Sequence, residues 1–562
     1  MALPNISVFA FILLCFVVIY KYLVHPTFLS PLSKIPNAHP SSHLSPLWIL
    51  WIRYTGRENR TVFAAHERNG PVIRLGPNEV SVNCVDGGIR TVYAGGFEKH
   101  GWYANLFENY GTPNMFSTTH SRPHSARKRM ISNVYAKSVL QSSPTLSTIS
   151  YTILYERLLP RLVVATSSTN PTQGIDVFQL FSALTMDFVT CYQFGLAIAS
   201  NWTQNSRDCE HFLDLYRDRT SSKAQFWAGE LPNLTKCFKR FGVRMVPRWV
   251  DDGNAEIEAW CLSMCDAAAQ AVSRGGETQE VDVGDEPVVF AQLLNAMEKE
   301  REKSSSTVSD QSVAPSSPTI LHQQQRLALA SEMLDHLAAG FDTSGITLTY
   351  LAWVLSRHPS LQRQLRAELR TLSPPLQPPN PNTNNNSTNN NIPSLPSPKD
   401  LDALPLLHAV VMETLRLHAA IPGGQPRVTP PGCVLGAASA DGGGTEYAVP
   451  AGVRVSAYAY GLHRNADVFP DPEAWRPERW LPAAADTDDG GGRTARHFWA
   501  FGSGGRMCVG SNLALHEIKL IVAAVWTGFE TSVLHDEGIE QRDAYTAGPE
   551  GGRLVLRFER AV

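Results

Sequence analysis

The sequence has almost no surplus of charge: 49 Lys and Arg stand against 52 Asp and Glu, a formal net charge of −3 over 562 residues. That balance gives no basic field of the kind that attracts a nucleic acid. Cysteine is sparse and irregularly placed. Nine Cys, an odd number, do not form the framework of a disulfide-stapled secreted domain and fit a reducing compartment better. No period of about 20–50 residues recurs, which excludes solenoids and propellers. Lys and Arg are missing from the stretch before Lys21. Nucleotide-binding fingerprints are missing as well. The Gly-rich stretch Phe501-Gly-Ser-Gly-Gly-Arg-Met-Cys-Val-Gly510 lacks the Gly-Lys-Ser/Thr of a phosphate loop, and Met507 stands where a dinucleotide fingerprint needs glycine. What is present is 43% hydrophobic and 18% charged, ample for a core and too apolar for a disordered chain.

The longest apolar run lies at the N-terminus. Ile6 to Tyr20 carries no charge, and the run resumes after Lys21 as Tyr22-Leu23-Val24. A helix over Ile6–Val24 spans roughly 28 Å at ~1.5 Å per residue, about one hydrocarbon core. A cleaved signal peptide would need a basic start and a small-residue cleavage site, and neither is there. A buried core helix is the remaining alternative. Lys21, His25, Lys34, Arg53 and Arg57 all follow the bulk of the run, so the positive-inside rule places most of the chain on the cytosolic side. The expected organisation is a single-pass transmembrane anchor over residues 1–25 and a Pro-rich spacer over 26–45, followed by one domain over 46–562. Pro26, Pro31, Pro36 and Pro40 argue for an extended, semi-rigid spacer.

Polar tracts interrupt the domain. Ser304 to Thr319 reads as a linker. A Pro/Asn-rich insertion at about 373–398 cannot bury enough apolar surface to order itself. Gly/Asp-rich loops are expected at 441–444 and 483–494. None divides the domain, because residues that belong to one site fall on both sides of them. Between the tracts the pattern is helical, most clearly over Gln325–His358, Asp400–Ala420 and Ser511–Phe529. Strand signals are short: Val72–Leu75, Val80–Asn83 and Val453–Tyr460. The fold class is mainly α with small β-sheets.

The chemistry centres on Cys508. Glycines around it permit close backbone approach, and an apolar helix follows at once, so a thiolate there would meet free N–H groups and the positive end of a helix dipole. One soft thiolate with no Cys or His at zinc-like spacing points to haem rather than zinc. The competing reading is a buried, inert cysteine, which neither the flanking glycines nor Arg506 favours.

Phe501, Gly504, Arg506, Cys508 and Gly510 match the haem-binding loop F-x-x-G-x-R-x-C-x-G, and by it the sequence resembles the cytochrome P-450 monooxygenases. Three further motifs occur in the expected order, and together they cover most of the chain from about Pro36. Glu413-Thr-Leu-Arg416 sits in an apolar helix, unlike the look-alikes Glu298-Lys-Glu-Arg301 and Glu473-Ala-Trp-Arg476, which read as solvated charges. Arg476-Pro-Glu-Arg479-Trp480 follows, and the resemblance implies that Arg479 joins Glu413 and Arg416 in a buried charge network bracing the cysteine loop. Ala339-Gly-Phe-Asp-Thr-Ser344 lies mid-helix, where Gly costs about 1 kcal/mol relative to Ala. A kinked helix that opens a slot for a ligand would explain it; ordinary helix packing is the alternative.

The resemblance implies a P-450-like fold carrying haem b with Cys508 as axial metal ligand. It implies that Asp342 and Thr343 relay protons to dioxygen, and that Arg506, Arg427 and His124 belong to the cofactor site along with Phe501. The stretch His124-Ser-Ala-Arg-Lys-Arg129 resembles the family's W/H-x-x-x-R helix, but Lys128 stands where arginine is usual. Arg127 and Arg129 then either compensate or belong to a docking surface. The reaction implied is insertion of one oxygen atom from O2 into a lipophilic small molecule, plausibly a fungal secondary metabolite. Electrons would come from NADPH through a separate NADPH-cytochrome P-450 reductase, since no Rossmann or flavin motif appears. The microsomal type places the anchor in the endoplasmic reticulum membrane with the catalytic domain cytosolic. Two rivals are weighed against this. A haem-thiolate peroxide isomerase or dehydratase would not need the acid–alcohol pair, and a non-enzymatic haem gas sensor would not consume NADPH.

Overall fold

The apolar run that stops before Pro359 forms one unbroken helix in the computed structural model, from Pro318 to Ser356. The structure describes residues 3–166, 174–275, 282–307, 318–378, 395–436, 445–481 and 492–561. The long helix lies against Val177–Phe194, a helix of which only Phe178 and Gln179 escape burial. A helix buried on nearly every side belongs in a core. Gly340 sets the closeness of the pair, since a Cβ there would meet Val189 Cγ2 at 2.7 Å. Packing therefore accounts for the mid-helix glycine, and the expected kink does not interrupt the helix.

Helices Pro359–Leu369, Pro405–Leu417 and Ser511–Gly528 close the main core around the long helix. The run expected as one helix over Asp400–Ala420 is two, Pro398–Asp402 and Pro405–Leu417. Pro405 starts the second one, at a position where its missing N–H costs nothing.

A five-stranded sheet takes the order Val72–Gly76, Glu79–Val82, Arg454–Ser456, Arg427–Val428, Glu98–Lys99. Its only parallel pair is Glu79–Val82 with Arg454–Ser456. The strand expected over Val453–Tyr460 contracts to Arg454–Ser456. Its neighbour Arg427–Val428 is two residues long, and the chain turns into the helix Ala459–Leu462. At the sheet edge Lys99 lies directly opposite Arg427, and both are buried. Like charges opposed across an antiparallel pair are destabilising unless something anionic meets them.

At the N-terminus the helix Leu3–Ile19 continues as π-helical turns through Tyr20–Leu29. Val8–Leu29, whose apolar 18-residue window has mean hydropathy 2.2 and no buried residue, is long and apolar enough to cross a membrane, while Pro26 near its end is buried. Pro26 thus lies inside the helix, and Pro31 opens a 3-10 turn over Pro31–Lys34, so the extended spacer expected from residue 26 onward is not what forms there. The Arg74 guanidinium donates to the carbonyl of Pro26 at 2.9 Å and to those of Gly76 and Pro77.

Helix Val288–Thr307 and the start of the long helix at Pro318 take both ends of the expected linker 304–319, of which residues 308–317 lie outside the described residues. Most of the insertion at 373–398 and of the two Gly/Asp-rich loops lies outside them as well, and Gly492–His497 is helical.

Candidate active site

The loop that carries Cys508 folds as its glycines require. Gly502 and Gly504 both take positive φ, and a Cβ on Gly504 would lie 2.2 Å from the Tyr93 carbonyl oxygen. The Cys508 N–H donates to the Phe501 carbonyl at 3.0 Å, and the helix Ser511–Gly528 begins three residues on. Burial pushes the Cys508 thiol up, while the N–H groups of Gly510 and Ser511 and the Lys128 ammonium pull it down. Its accessible surface is nevertheless that of an exposed residue.

Cations converge on this loop. Lys128 Nζ donates to the carbonyls of Gly505 at 3.0 Å and Met507 at 3.1 Å. Arg506 donates to the carbonyls of Thr118 and Thr119 at 2.7 and 2.6 Å, and to Glu98 Oε2 at 3.2 Å. Arg427 is buried over the ring of Tyr93, and its Nε and Nη1 have no hydrogen-bond partner among the described residues. Buried His124 is pushed down to about 3, first by burial and then by Arg506, Lys99, Lys128 and Arg427, so the imidazole is neutral. These groups therefore lie within electrostatic reach of one another.

Lys99 belongs to the same cluster, and sequence reasoning missed it. Its Nζ donates to the Phe116 carbonyl at 2.5 Å and sits over the rings of Phe116 and Tyr103. Burial, Arg427 and Arg506 drive it well below the ordinary lysine value. Only its register opposite Arg427 reveals it. A buried guanidinium with unmet donors beside further cations calls for an anion with several acceptor oxygens. A haem, with two carboxylates and an iron that takes a thiolate, fits this donor set. Arg127, by contrast, pairs with the buried Glu332 on the long helix at 2.6 Å.

Glu413 and Arg416 are fully buried. Glu413 Oε1 accepts from Arg416 Nη2 at 2.7 Å, the Arg476 N–H at 2.8 Å and Arg479 Nε at 3.3 Å. Oε2 accepts from Arg416 Nε and Trp480 Nε1, each at 2.8 Å. The remaining donors of Arg416 reach the carbonyls of His463, Pro472 and Ala474. From there two residues not identified in the sequence carry the brace onward. His463 Nδ1 contacts the Arg416 carbonyl at 2.8 Å, so Nδ1 carries the proton and Nε2 accepts from the Trp499 N–H at 2.8 Å. Burial pushes His463 down to about 3, consistent with a neutral ring. Trp499 Nε1 then donates to Ser503 Oγ, inside the cysteine loop. The look-alike Glu473, itself exposed, instead meets the buried Arg464.

On the long helix, Ala339, Asp342 and Thr343 line a cavity of about 480 Å³ that Phe107, Phe116 and Tyr216 also face. Thr343 Oγ1 donates back to the Ala339 carbonyl at 2.7 Å. Burial pushes the Asp342 carboxyl up to about 6. Phe116 ties this cavity to the cation cluster, since Lys99 holds its carbonyl and covers its ring. Tyr135 ties the helix to the loop: its hydroxyl meets His336 Nδ1 at 2.9 Å, and Cys508 and Asp335 both perturb its phenol.

The sequence model for cytochrome P450 matches residues 286–552, which takes in the long helix, the Glu413 network and the Cys508 loop. Relatives match over longer stretches. Cytochrome P450 monooxygenase avaI of Aspergillus versicolor is 29% identical over 465 residues, covering 81% of this chain and 94% of its own. Cytochrome P450 monooxygenase orf2 of Aspergillus niger is 24% identical over 553 residues, 95% of this chain and 94% of its own. Cytochrome P450 monooxygenase ucsK of an Acremonium species is 27% identical over 480 residues, 82% and 79% of the two chains. With the helical fold, the acid–alcohol helix and the cysteine loop already in place, these matches support the cytochrome P450 family and a monooxygenase activity for the chain.

Proposed function

We propose that the protein binds haem b through Cys508 and oxygenates a lipophilic small molecule, of the kind that fungal secondary metabolism supplies, with electrons from NADPH delivered by a separate flavoprotein reductase. The observation that carries this reading is the buried Arg427, with two unmet donors, beside Arg506, Lys99 and the accessible thiol of Cys508. Arg427, Arg506 and Lys99 would hold the carboxylates of the cofactor, and Lys128 the backbone of the cysteine loop. Burial favours the protonated thiol, so ligation must release that proton, helped by the Gly510 and Ser511 N–H groups and the Lys128 charge. Haem, when bound, supplies the activation of dioxygen and the oxidation itself.

The protein's part is to exclude water, orient the substrate and hold protons. Near neutral pH the Asp342 carboxyl exists in both protonation states, which suits a proton carrier. Thr343, one residue on at the cavity wall, has a hydroxyl whose own proton rests on the Ala339 carbonyl, leaving its oxygen free to accept. Exposed Arg122 and Arg129, on the helix that carries Lys128, offer a basic face to an acidic reductase. The N-terminal helix would hold the assembly at the endoplasmic reticulum membrane with the catalytic body cytosolic.

The test is the carbon monoxide difference spectrum of the reduced protein. We expect the red-shifted Soret band of thiolate ligation in the wild type and its loss in Cys508→Ala. An unchanged band in that variant would remove Cys508 from the iron.

A further inference from the structure

We propose that Tyr216 is a positioning residue for the monooxygenase reaction: it holds the Asp342 carboxyl at the cavity wall and ties that acid to whatever occupies the cavity. The inference rests on the reading of Asp342 as a proton carrier and extends it to a residue 126 positions away on another helix.

Tyr216 lies on the helix Ser206–Arg219, which packs against Arg248–Gly275 over the top of the cavity. Its hydroxyl donates to Asp342 Oδ2 at 3.2 Å, the one hydrogen bond to that carboxyl among the described residues. The ring is set edge-on to Phe341, 4.8 Å between centroids, and parallel to Phe212. Tyr216 and Asp342 both line the cavity, so a molecule filling it touches the ring that carries the hydrogen bond. Burial lifts the phenol well above its usual value, so it remains a donor at any working pH.

The sign of its effect follows. Burial raises the Asp342 carboxyl, and the Tyr216 hydroxyl and the Arg542 guanidinium oppose that rise by favouring the ionised form. Further along the same wall stand Arg219, Glu258 and Asp335, the last pushed up to about 8. Removing the phenol oxygen therefore raises Asp342 further and keeps it protonated to higher pH. A substrate that displaces the ring would do the same on binding, loading the acid with a proton when there is something to oxidise. A hydrogen bond that merely joins two helices would not respond to occupancy.

The experiment is infrared difference spectroscopy on the haem-loaded full chain in detergent, following the carbonyl stretch of protonated Asp342 against pH. The band is assigned as the one lost in Asp342→Asn. In the wild type its midpoint should fall near 6. In Tyr216→Phe it should rise by about one pH unit, a tenfold change in the acid constant. Miconazole, used as an apolar probe of the cavity, should shift the wild-type midpoint and leave that of Tyr216→Phe in place. An equal midpoint in both proteins overturns the proposal, and so does a wild-type midpoint indifferent to miconazole, which needs no variant to fold. Hydrogen peroxide yield separates the two readings. If Asp342→Asn releases no more peroxide per NADPH than the wild type, the proton-carrier role fails, whereas the hold of Tyr216 on Asp342 is judged by the infrared midpoint alone.

Discussion

Replacing Glu413 by alanine should cost the protein its cofactor before it costs any single catalytic step. The carboxylate accepts five hydrogen bonds, from Arg416 twice and from the Arg476 N–H, Arg479 and Trp480. Alanine removes all five acceptor contacts and leaves the fully buried Arg416 guanidinium without its counter-charge. Breaking one side of a buried pair costs about 3–5 kcal/mol, against a total domain stability of about 5–15 kcal/mol. The loss passes through His463 and Trp499 to Ser503 in the cysteine loop, so haem retention should fall together with stability. Melting of the purified full chain by circular dichroism, with haem content from the Soret absorbance, reads both. We expect melting about 3–5 °C lower and a mostly haem-free preparation, with Glu413→Gln between alanine and wild type. Glu298→Ala provides the control, since a surface change away from such a network stays within about 0.5 kcal/mol. Glu473→Ala removes an exposed carboxylate from the buried Arg464, which keeps its bond to the Leu417 carbonyl, so it should cost less than Glu413→Ala. If Glu413→Ala melted and held haem as these controls do, the network would not brace the loop.

Thr343→Ala removes one hydrogen bond to the Ala339 carbonyl, about 0.5–1.5 kcal/mol, so the fold should survive. NADPH consumption should then continue while product per NADPH falls and hydrogen peroxide rises; unchanged coupling with a confirmed substrate would make Thr343 a packing residue. Deleting residues up to Lys21 removes most of the apolar helix and should weaken membrane attachment while leaving carbon monoxide binding intact. Release of the full-length chain into the soluble fraction by carbonate extraction would refute the anchor.

Much of the site is legible in the sequence because its parts are local. The cysteine loop is ten consecutive residues whose glycines and helix start are visible together, and Glu413 and Arg416 lie one helical turn apart. Lys99, His463, Trp499 and Tyr216 were not legible. Each gains its role from a partner far along the chain: Lys99 from its register opposite Arg427, Tyr216 from a hydroxyl that reaches another helix. A lysine in a two-residue strand and a tyrosine in a charged helix carry no local sign of burial. The mid-helix segment Ala339–Ser344 lines a cavity through Ala339, Asp342 and Thr343, while its glycine, Gly340, packs against Val189. A proline removes a helical hydrogen bond, which argues for an extended spacer at Pro26; the helix runs through it all the same, and the buried guanidinium of Arg74 donates to the Pro26 carbonyl near its end.

That grip has a mechanical consequence. An anchor joined to its domain by a loose tether lets the two reorient independently. Here the last turns of the apolar helix are clamped, through Arg74, to the carbonyls of Gly76 and Pro77 beside the first strand of the sheet. Torque on the helix therefore reaches the globular body. A helix longer than the local hydrocarbon thickness accommodates by tilting, at fractions of a kcal/mol per ångström of mismatch. If the helix crosses a membrane, a stiff joint makes each degree of that tilt lean the whole body with it, and bilayer thickness would set the attitude of the globular part.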